Sequence, residues 1–388
     1  MSGTREETVR QAVSPKGSRL QPVDALRGLI IVLMALDHAN YFVAQKHSSG
    51  EYWGGSFPVY QDALAFITRF VTHFAAPGFF FLMGVGMLLF ADSRRKRGWR
   101  VWDIMRHFWV RGGLLIALQL LLINRAWELS PGGWELKIYI GVLFALGGTM
   151  ILGSLLLWFK PIYLLGLTVT LLIGTELLVP DPSMWMQLDT TRLDGVIQSL
   201  LILPGGNLDL WSNYPVIPWL ELVVFGILFG HWLLEDSKKA YERALWLGGA
   251  LILGFTAVRL LNGFGNIRPR AGDSWIGFLN VVKYPPSIAF SFLTMGVNLI
   301  LLGFFGRVGE KAQRVLQPLV VYGRAPLFFY ILHLFLYAGI GILLTSEGTN
   351  VAAMYPYWLL GLLILFPLTL WYGALKRRQP ANSILGYL

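Results

Sequence analysis

A chain of 388 residues that is 55% hydrophobic and only 14% charged has too little charge to wet a soluble globule, where about a quarter of residues are charged. Its net charge of +10 does not point to a nucleic-acid partner, because the basic residues cluster in alternate short loops, as positive-inside topology requires. The lack of any cysteine excludes disulfides, thiolate metal sites and an acyl-cysteine intermediate.

The mean hydropathy is +0.56, and the apolar residues come in blocks of roughly twenty, the length a helix needs to cross about 30 Å of hydrocarbon. A polar tail, 1–23, has no apolar signal-like core, so the first hydrophobic segment, Ala25 to Ala44, reads as a retained helix. A second helix runs near Phe66–Phe90, before the basic loop Arg94, Arg95, Lys96, Arg97 and Arg100. Further spans are expected near 108–123, 138–158 and 161–179. The long connection 180–214 carries Asp181, Asp189, Asp194 and Asp209. Spans near 216–234 and 244–262 flank Lys238, Lys239 and Arg243, and one near 286–305 precedes Arg307, Lys311 and Arg314. The last two fall near 325–345 and 357–375, before Lys376, Arg377 and Arg378.

An N-terminus in the cytoplasm puts all of these basic clusters on that side. The expected fold is an all-α, polytopic transmembrane helix bundle of about ten, or eleven, spans, with both termini cytoplasmic. The apolar run Val196–Leu203 is too short to cross and reads as re-entrant or interfacial. No internal repeat or linker divides the chain, so 24–378 reads as one domain between cytoplasmic tails 1–23 and 379–388.

Ionisable residues inside membrane helices are costly and mark candidate sites. The first helix, VDALRGLIIVLMALDHANYF, places Asp24 and Arg27 on one face at its cytoplasmic end, with Asp37 and His38 about 18 Å further along. Adjacent helical positions point about 100° apart, so Asp37 is expected to pair with a cation on another helix, Arg69, rather than to orient His38. In the second helix, TRFVTHFAAPGFFFLMG, residues Arg69, Thr72 and His73 form one polar stripe, and Pro77 leaves the His73 carbonyl unbonded and kinks the helix. In YGRAPLFFYILHLFLYAG, residues Pro326, Tyr330, His333 and Tyr337 form another stripe. Each histidine has a structural alternative, a hydrogen bond to a neighbouring helix, but three at similar depth suggest a shared cavity. His47, beside Glu51 in the loop KHSSGEYWGG, reads as solvated or as an acceptor contact. No HExxH, Walker or GxSxG motif is present, so metal, ATP and serine-hydrolase chemistry find no support.

The first and second helices, with NYPVIPWLELVVFGILFG, VKYPPSIAFSFLTMG and YGRAPLFFYILHLF, resemble the bacterial branch of the heparan-α-glucosaminide N-acetyltransferase-like proteins, within the transmembrane acyltransferase superfamily. The resemblance covers residues 22 to about 337. It implies an enzyme of the bacterial inner membrane that moves an acetyl group from cytoplasmic acetyl-CoA to an amino or hydroxyl group of a glycan or amino-sugar on the outer face. In the glycan-modifying relatives the motif residues match Arg27 and His38. In the animal lysosomal enzyme the catalytic His lies in a loop after the first helix, in a Lys-His context that Lys46 and His47 match. These two assignments compete, and His38 is preferred. The catalytic candidates are therefore His38, Asp37, His73, His333 and His47. The donor-binding candidates are Arg27, Arg69, Arg324, Asp24 and Tyr330, with the Arg94–Arg97 loop beside them, and His73 and Tyr330 are also candidate oxyanion donors. Membrane lipids and a second copy in a homodimer complete the expected partners. The competing class is a proton-coupled transporter or flippase using the same buried groups.

Overall fold

The computed structural model describes residues 20–47, 50–187 and 189–379. The two expected tails fall almost wholly outside the described residues. Nine described helical segments are long and apolar enough to cross a membrane, and the fold is the expected all-α bundle. In chain order the helices are α1 (Gln21–Ala39), α2 (Ala63–Thr72), α3 (Ala75–Arg95), α4 (Val101–Leu118), α5 (Asn124–Glu128), α6 (Val142–Leu156), α7 (Pro161–Leu178) and α8 (Leu193–Leu201). There follow α9 (Val216–Glu235), α10 (Ser237–Leu261), α11 (Trp275–Leu279), α12 (Ile288–Arg307), α13 (Glu310–Val315), α14 (Gln317–Gly323), α15 (Pro326–Leu344) and α16 (Val351–Arg378). Single π-helical turns extend α1 over Asn40–Ala44 and join α4 to α5 over Gln119–Ile123.

The second span breaks as Pro77 requires. Helix α2 stops at Thr72, His73 caps it, and α3 resumes at Ala75, since proline has no amide to close the preceding turn. The third span starts earlier than its hydropathy suggests, at Val101, because Asp103 accepts a hydrogen bond from the Arg100 amide and satisfies an otherwise orphaned donor. The fourth starts later. Ile138–Ile140, expected to be helical, is a strand (β1) parallel to Leu210–Ser212 (β3), which pairs antiparallel with Gly205–Gly206 (β2). Helix α6 keeps 15 residues, about 22 Å at 1.5 Å per residue, and does not reach across the hydrocarbon. The short apolar run 196–203 lies largely within α8, where Leu193, Ile197 and Leu201 stay exposed at four-residue spacing. That apolar stripe on a nine-residue helix suits an interface, not a span.

Helices approach through glycines, as membrane bundles do in the absence of a hydrophobic drive between them. A Cβ on Gly28 of α1 would lie 1.8 Å from the Leu319 carbonyl oxygen of α14, and one on Gly84 of α3 would lie 2.1 Å from the Val223 oxygen of α9. At the end of the bundle away from the basic loops, Arg259 of α10 donates to the carbonyls of Gly277, Phe278 and Asn280. This ties down the segment that leads to α12.

Because Gly28 faces backbone rather than a movable side chain, Gly28→Ala is expected to destabilise by about 3 kcal/mol, the upper range for overpacking. Gly113→Ala, which meets no atom within 4 Å, should hold or slightly raise Tm. Thermal unfolding of the detergent-purified variants checks the pair, and equal Tm values would refute the close α1–α14 contact.

Candidate functional site

The site grows from one buried cation. Arg69, 2% exposed, projects from the last turn of α2 and donates Nε to Glu51 Oε1 (2.7 Å), Nη2 to Glu51 Oε2 (3.0 Å) and Nη1 to Asp37 Oδ1 (2.7 Å). Thr72, three residues on, donates its hydroxyl to the same Asp37 oxygen at 2.7 Å. Asp37 thus pairs with Arg69, as the 100° separation between neighbouring helical positions requires. Glu51 is fully buried. Burial pushes its carboxyl up, but the Arg69 charge and the hydrogen bonds Arg69 donates hold it well below the usual range. Its backbone carbonyl accepts from the amides of Lys283 and Tyr284, so the cluster also fixes the loop before α12. Burial and the nearby Arg69 charge push the Lys283 ammonium down to about 8, against the pull of Asp37 and Glu51.

The histidines divide by hydrogen bonding. His333 Nδ1 lies 3.0 Å from the Phe329 carbonyl, and since a carbonyl only accepts, that nitrogen carries the proton. His333 Nε2 is then the acceptor in its 2.6 Å contact with His38 Nδ1, and His38 donates. The tautomer of His38 follows from its neighbours: Nε2 holds a lone pair, with no protein hydrogen bond to it among the described residues. His47 Nε2 lies 2.8 Å from Arg69 Nη1 and 3.3 Å from Asp37 Oδ1. A guanidinium only donates, so the His47 lone pair is already engaged. His73 Nδ1 bonds the Arg69 carbonyl at 2.7 Å, and its Nε2 lies 3.5 Å from Glu51.

Two cavities enter from opposite ends. The one at the loop-rich end, about 860 Å³, is lined by Asp37, His38, His47 and aromatic rings including Tyr41, Trp127, Trp134 and Trp211. Asn213 organises part of its wall, accepting from Tyr52 Oη and Trp211 Nε1 and donating to Tyr139 Oη. The other, about 330 Å³, opens toward the basic end, with Arg27, Arg111, Arg324 and Lys376 set among apolar residues of α3, α4 and α6. Arg27 donates to Asp24 (2.8 Å) and to the Gly323 carbonyl (3.1 Å). The buried Nε of Arg111 has no hydrogen-bond partner among the described residues. Tyr330 and Val142 line both cavities.

Asp37, His38, His47 and Tyr330 therefore share the loop-side cavity, with His333 directly behind His38. Arg27, Arg324 and Tyr330 line the basic cavity, with Asp24 beside Arg27. Arg69 and His73 line neither cavity. Arg69 sits behind Asp37 instead of among the donor-binding candidates, and His73 is spent on the cluster rather than aimed at a reacting oxygen. Sequence reasoning left out Arg111 and Glu51. An arginine eleven residues inside α4 carried the same signal as the intramembrane histidines, whereas Glu51 looked like a solvated loop acid.

The profile of the family described as "Heparan-alpha-glucosaminide N-acetyltransferase, catalytic" matches residues 19–258. The match takes in Arg27, Asp37, His38, His47, Glu51, Arg69 and Arg111, while Arg324, Tyr330 and His333 lie beyond it. Heparan-alpha-glucosaminide N-acetyltransferase of Mus musculus is 30% identical over 147 residues, 37% of this chain and 20% of that protein. The Homo sapiens protein of the same name is 29% identical over 146 residues, with the same shares covered. The aligned region is thus about a fifth of the length of these curated relatives.

Glu51→Gln leaves Arg69 with Asp37 as its remaining countercharge and is expected to cost about 3 kcal/mol. Glu51 ionises below its unfolded value of about 4.3. Its stabilisation is therefore present above that pH and lost as pH falls toward its folded pKa. Tm measured against pH should show the gap between wild type and Glu51→Gln wide at pH 7 and closing below pH ~4. A gap that persists unchanged into acid would refute the charge pairing.

Proposed function

This chain belongs to the heparan-alpha-glucosaminide N-acetyltransferase catalytic family, and on that premise we propose that it is a membrane-embedded acetyltransferase. Its donor is cytoplasmic acetyl-CoA, and its acceptor is the amino group of a glucosamine-like sugar presented on the opposite face. The observation that carries this reading is the pair of cavities, one cationic and one aromatic, that enter from opposite ends and adjoin beside His38. The basic loops at the Arg27 end support a cytoplasmic orientation for that end by the positive-inside rule, and residues 24–378 act as one catalytic domain in this reading.

Arg27, Arg111, Arg324 and Lys376 supply charge-assisted bonds to the donor phosphates. The apolar walls between them and Tyr330 suit a pantetheine arm. On the far side, flat rings such as Trp127 and Trp134, stacked at 5.5 Å, give a pyranose an apolar face to lie on, and Asp37 offers a carboxylate to its hydroxyls or neutral amine. His38 Nε2 acts as general base. As the acceptor nitrogen attacks the carbonyl carbon, a C–N bond forms and the C–S bond breaks. The nitrogen's proton passes to His38 and then to the departing thiolate. His333 holds His38 Nδ1–H and so keeps the lone pair directed at the cavity. The same geometry favours His38 over His47, whose Nε2 is occupied by Arg69.

Calorimetry with acetyl-CoA, paired with an assay for CoA release, tests the reading. Arg111→Ala should weaken donor binding roughly 10-fold or more, the loss of one hydrogen bond to a charged group. His38→Ala should bind normally and lose about 10²- to 10⁴-fold in transfer. Uptake or flipping of solute with no CoA released, or no saturable binding to folded wild type, would move the reading to a transporter.

A further inference from the structure

We infer that Tyr330 is the partition between the two cavities, and that its hydroxyl donates to the carbonyl oxygen of the thioester that reacts there. The second half deepens the acyl-transfer reading and rests on it; the partition stands on geometry alone.

Tyr330 and Val142 are the two residues common to both cavity linings. Val142 is the first residue of α6, a helix whose shortness places its start within the bundle instead of at the surface. Its β-branched side chain on a helical backbone is stiff at χ1. Tyr330 lies one turn into α15, just after the break at Arg324 and Ala325 that separates α14 from α15. Its ring meets His38 edge-on at 6.4 Å and His333 at 5.5 Å, so the phenol closes the partition beside the histidine pair.

The hydroxyl is the second observation. A buried tyrosine hydroxyl ordinarily finds a partner. Tyr322 donates to the Leu362 carbonyl and Tyr337 to the Trp358 carbonyl, both at 2.8 Å. Tyr330, only 6% exposed, has no hydrogen bond to its hydroxyl among the described residues, and it faces the space where a ligand from either side arrives. A donor poised there meets the oxygen on which charge develops as the acceptor nitrogen adds to the thioester carbon. Tyr330 donates a hydrogen bond and keeps its proton. The nitrogen's proton leaves through His38 to the thiolate, as above.

The cysteine-free chain permits a direct test with one introduced thiol, Leu136→Cys, in the loop-side cavity. In sided vesicles, a small anionic methanethiosulfonate should modify it from the loop-rich side whatever stands at 330. From the basic side it should modify it only when Tyr330 is replaced by Ala, or by Leu should Tyr330→Ala fold poorly. Reaction from the basic side with native Tyr330, or none with either truncation, would overturn the partition. Tyr330→Phe should stay sealed and bind acetyl-CoA as wild type, with kcat down about 10²-fold, as for loss of one oxyanion donor, and KM little changed. An unchanged kcat would overturn the carbonyl contact. Labelling needs no acetyl-CoA, so a sealed protein that transfers nothing would sink the acetyltransferase reading and leave the partition standing.

Discussion

Arg69 is a full positive charge held almost out of reach of water, and the loop-side architecture follows from how that charge is satisfied. Five donors on a rigid fork need acceptors in fixed directions. Two carboxylates supply them, one from α1 and one from the loop after it. The requirement locks three parts of the chain together, and a fourth joins because the Glu51 carbonyl bonds the amides of Lys283 and Tyr284. A buried ion cluster of this kind contributes little net stability against an apolar replacement of equal volume. Its value is positional. With Asp37 held against Arg69, its neighbour in the same helical turn, His38, is rotated toward α15 and the cavity, and His333 completes that orientation from behind.

The two cavities differ in chemistry because they differ in lining. On the basic side, Asp24 lies 2.8 Å from Arg27 and 3.8 Å from Arg324, and Arg111 and Lys376 join the two arginines around apolar walls. Such a pocket is complementary to a ligand with phosphates at one end and an uncharged arm at the other. On the loop side the cations are answered by Asp37 and Glu51, so the cavity presents a carboxylate, a lone pair and flat aromatic faces. That combination fits a polar acceptor with an apolar ring face. In the proposed transfer, this unequal lining would bring the donor from one end and the acceptor from the other.

Much of this was legible in the sequence. Apolar blocks of spanning length fixed the bundle, and Pro77 announced the break between α2 and α3. The angular step of a helix turned the adjacent Asp37 and His38 into a correct pairing of Asp37 with Arg69. What could not be read were contacts closed over long stretches of chain. Glu51 lies in a loop whose composition suggests solvent, and only the approach of α2 buries it. The 2.6 Å contact between His38 and His333 joins residues 295 positions apart, and no local pattern encodes it. Strand β1 escaped because Ile138–Ile140 is apolar enough to extend the next helix, while its partner, Leu210–Ser212, lies some seventy residues on. Arg111 was hidden by a span drawn from hydropathy alone, which put the helix start too close to it.

A bundle hollowed from both ends has a barrier problem that constrains its chemistry. In the proposed transfer, donor carbon and acceptor nitrogen must come within about 3–3.5 Å to react, so whatever separates the cavities can be no thicker than one side-chain layer. Yet the layer must stop water and ions when no substrate is bound, or the thioester would be lost to hydrolysis and the membrane would leak. A full-length helix between the cavities would satisfy the second demand and defeat the first. The short α6 resolves the conflict. Beginning inside the bundle, it brings only Val142 to the junction and leaves the remaining closure to the single ring of Tyr330. A barrier that thin would let the proposed transfer pass a two-carbon group without moving the helices, beside the contact between His38 of α1 and His333 of α15.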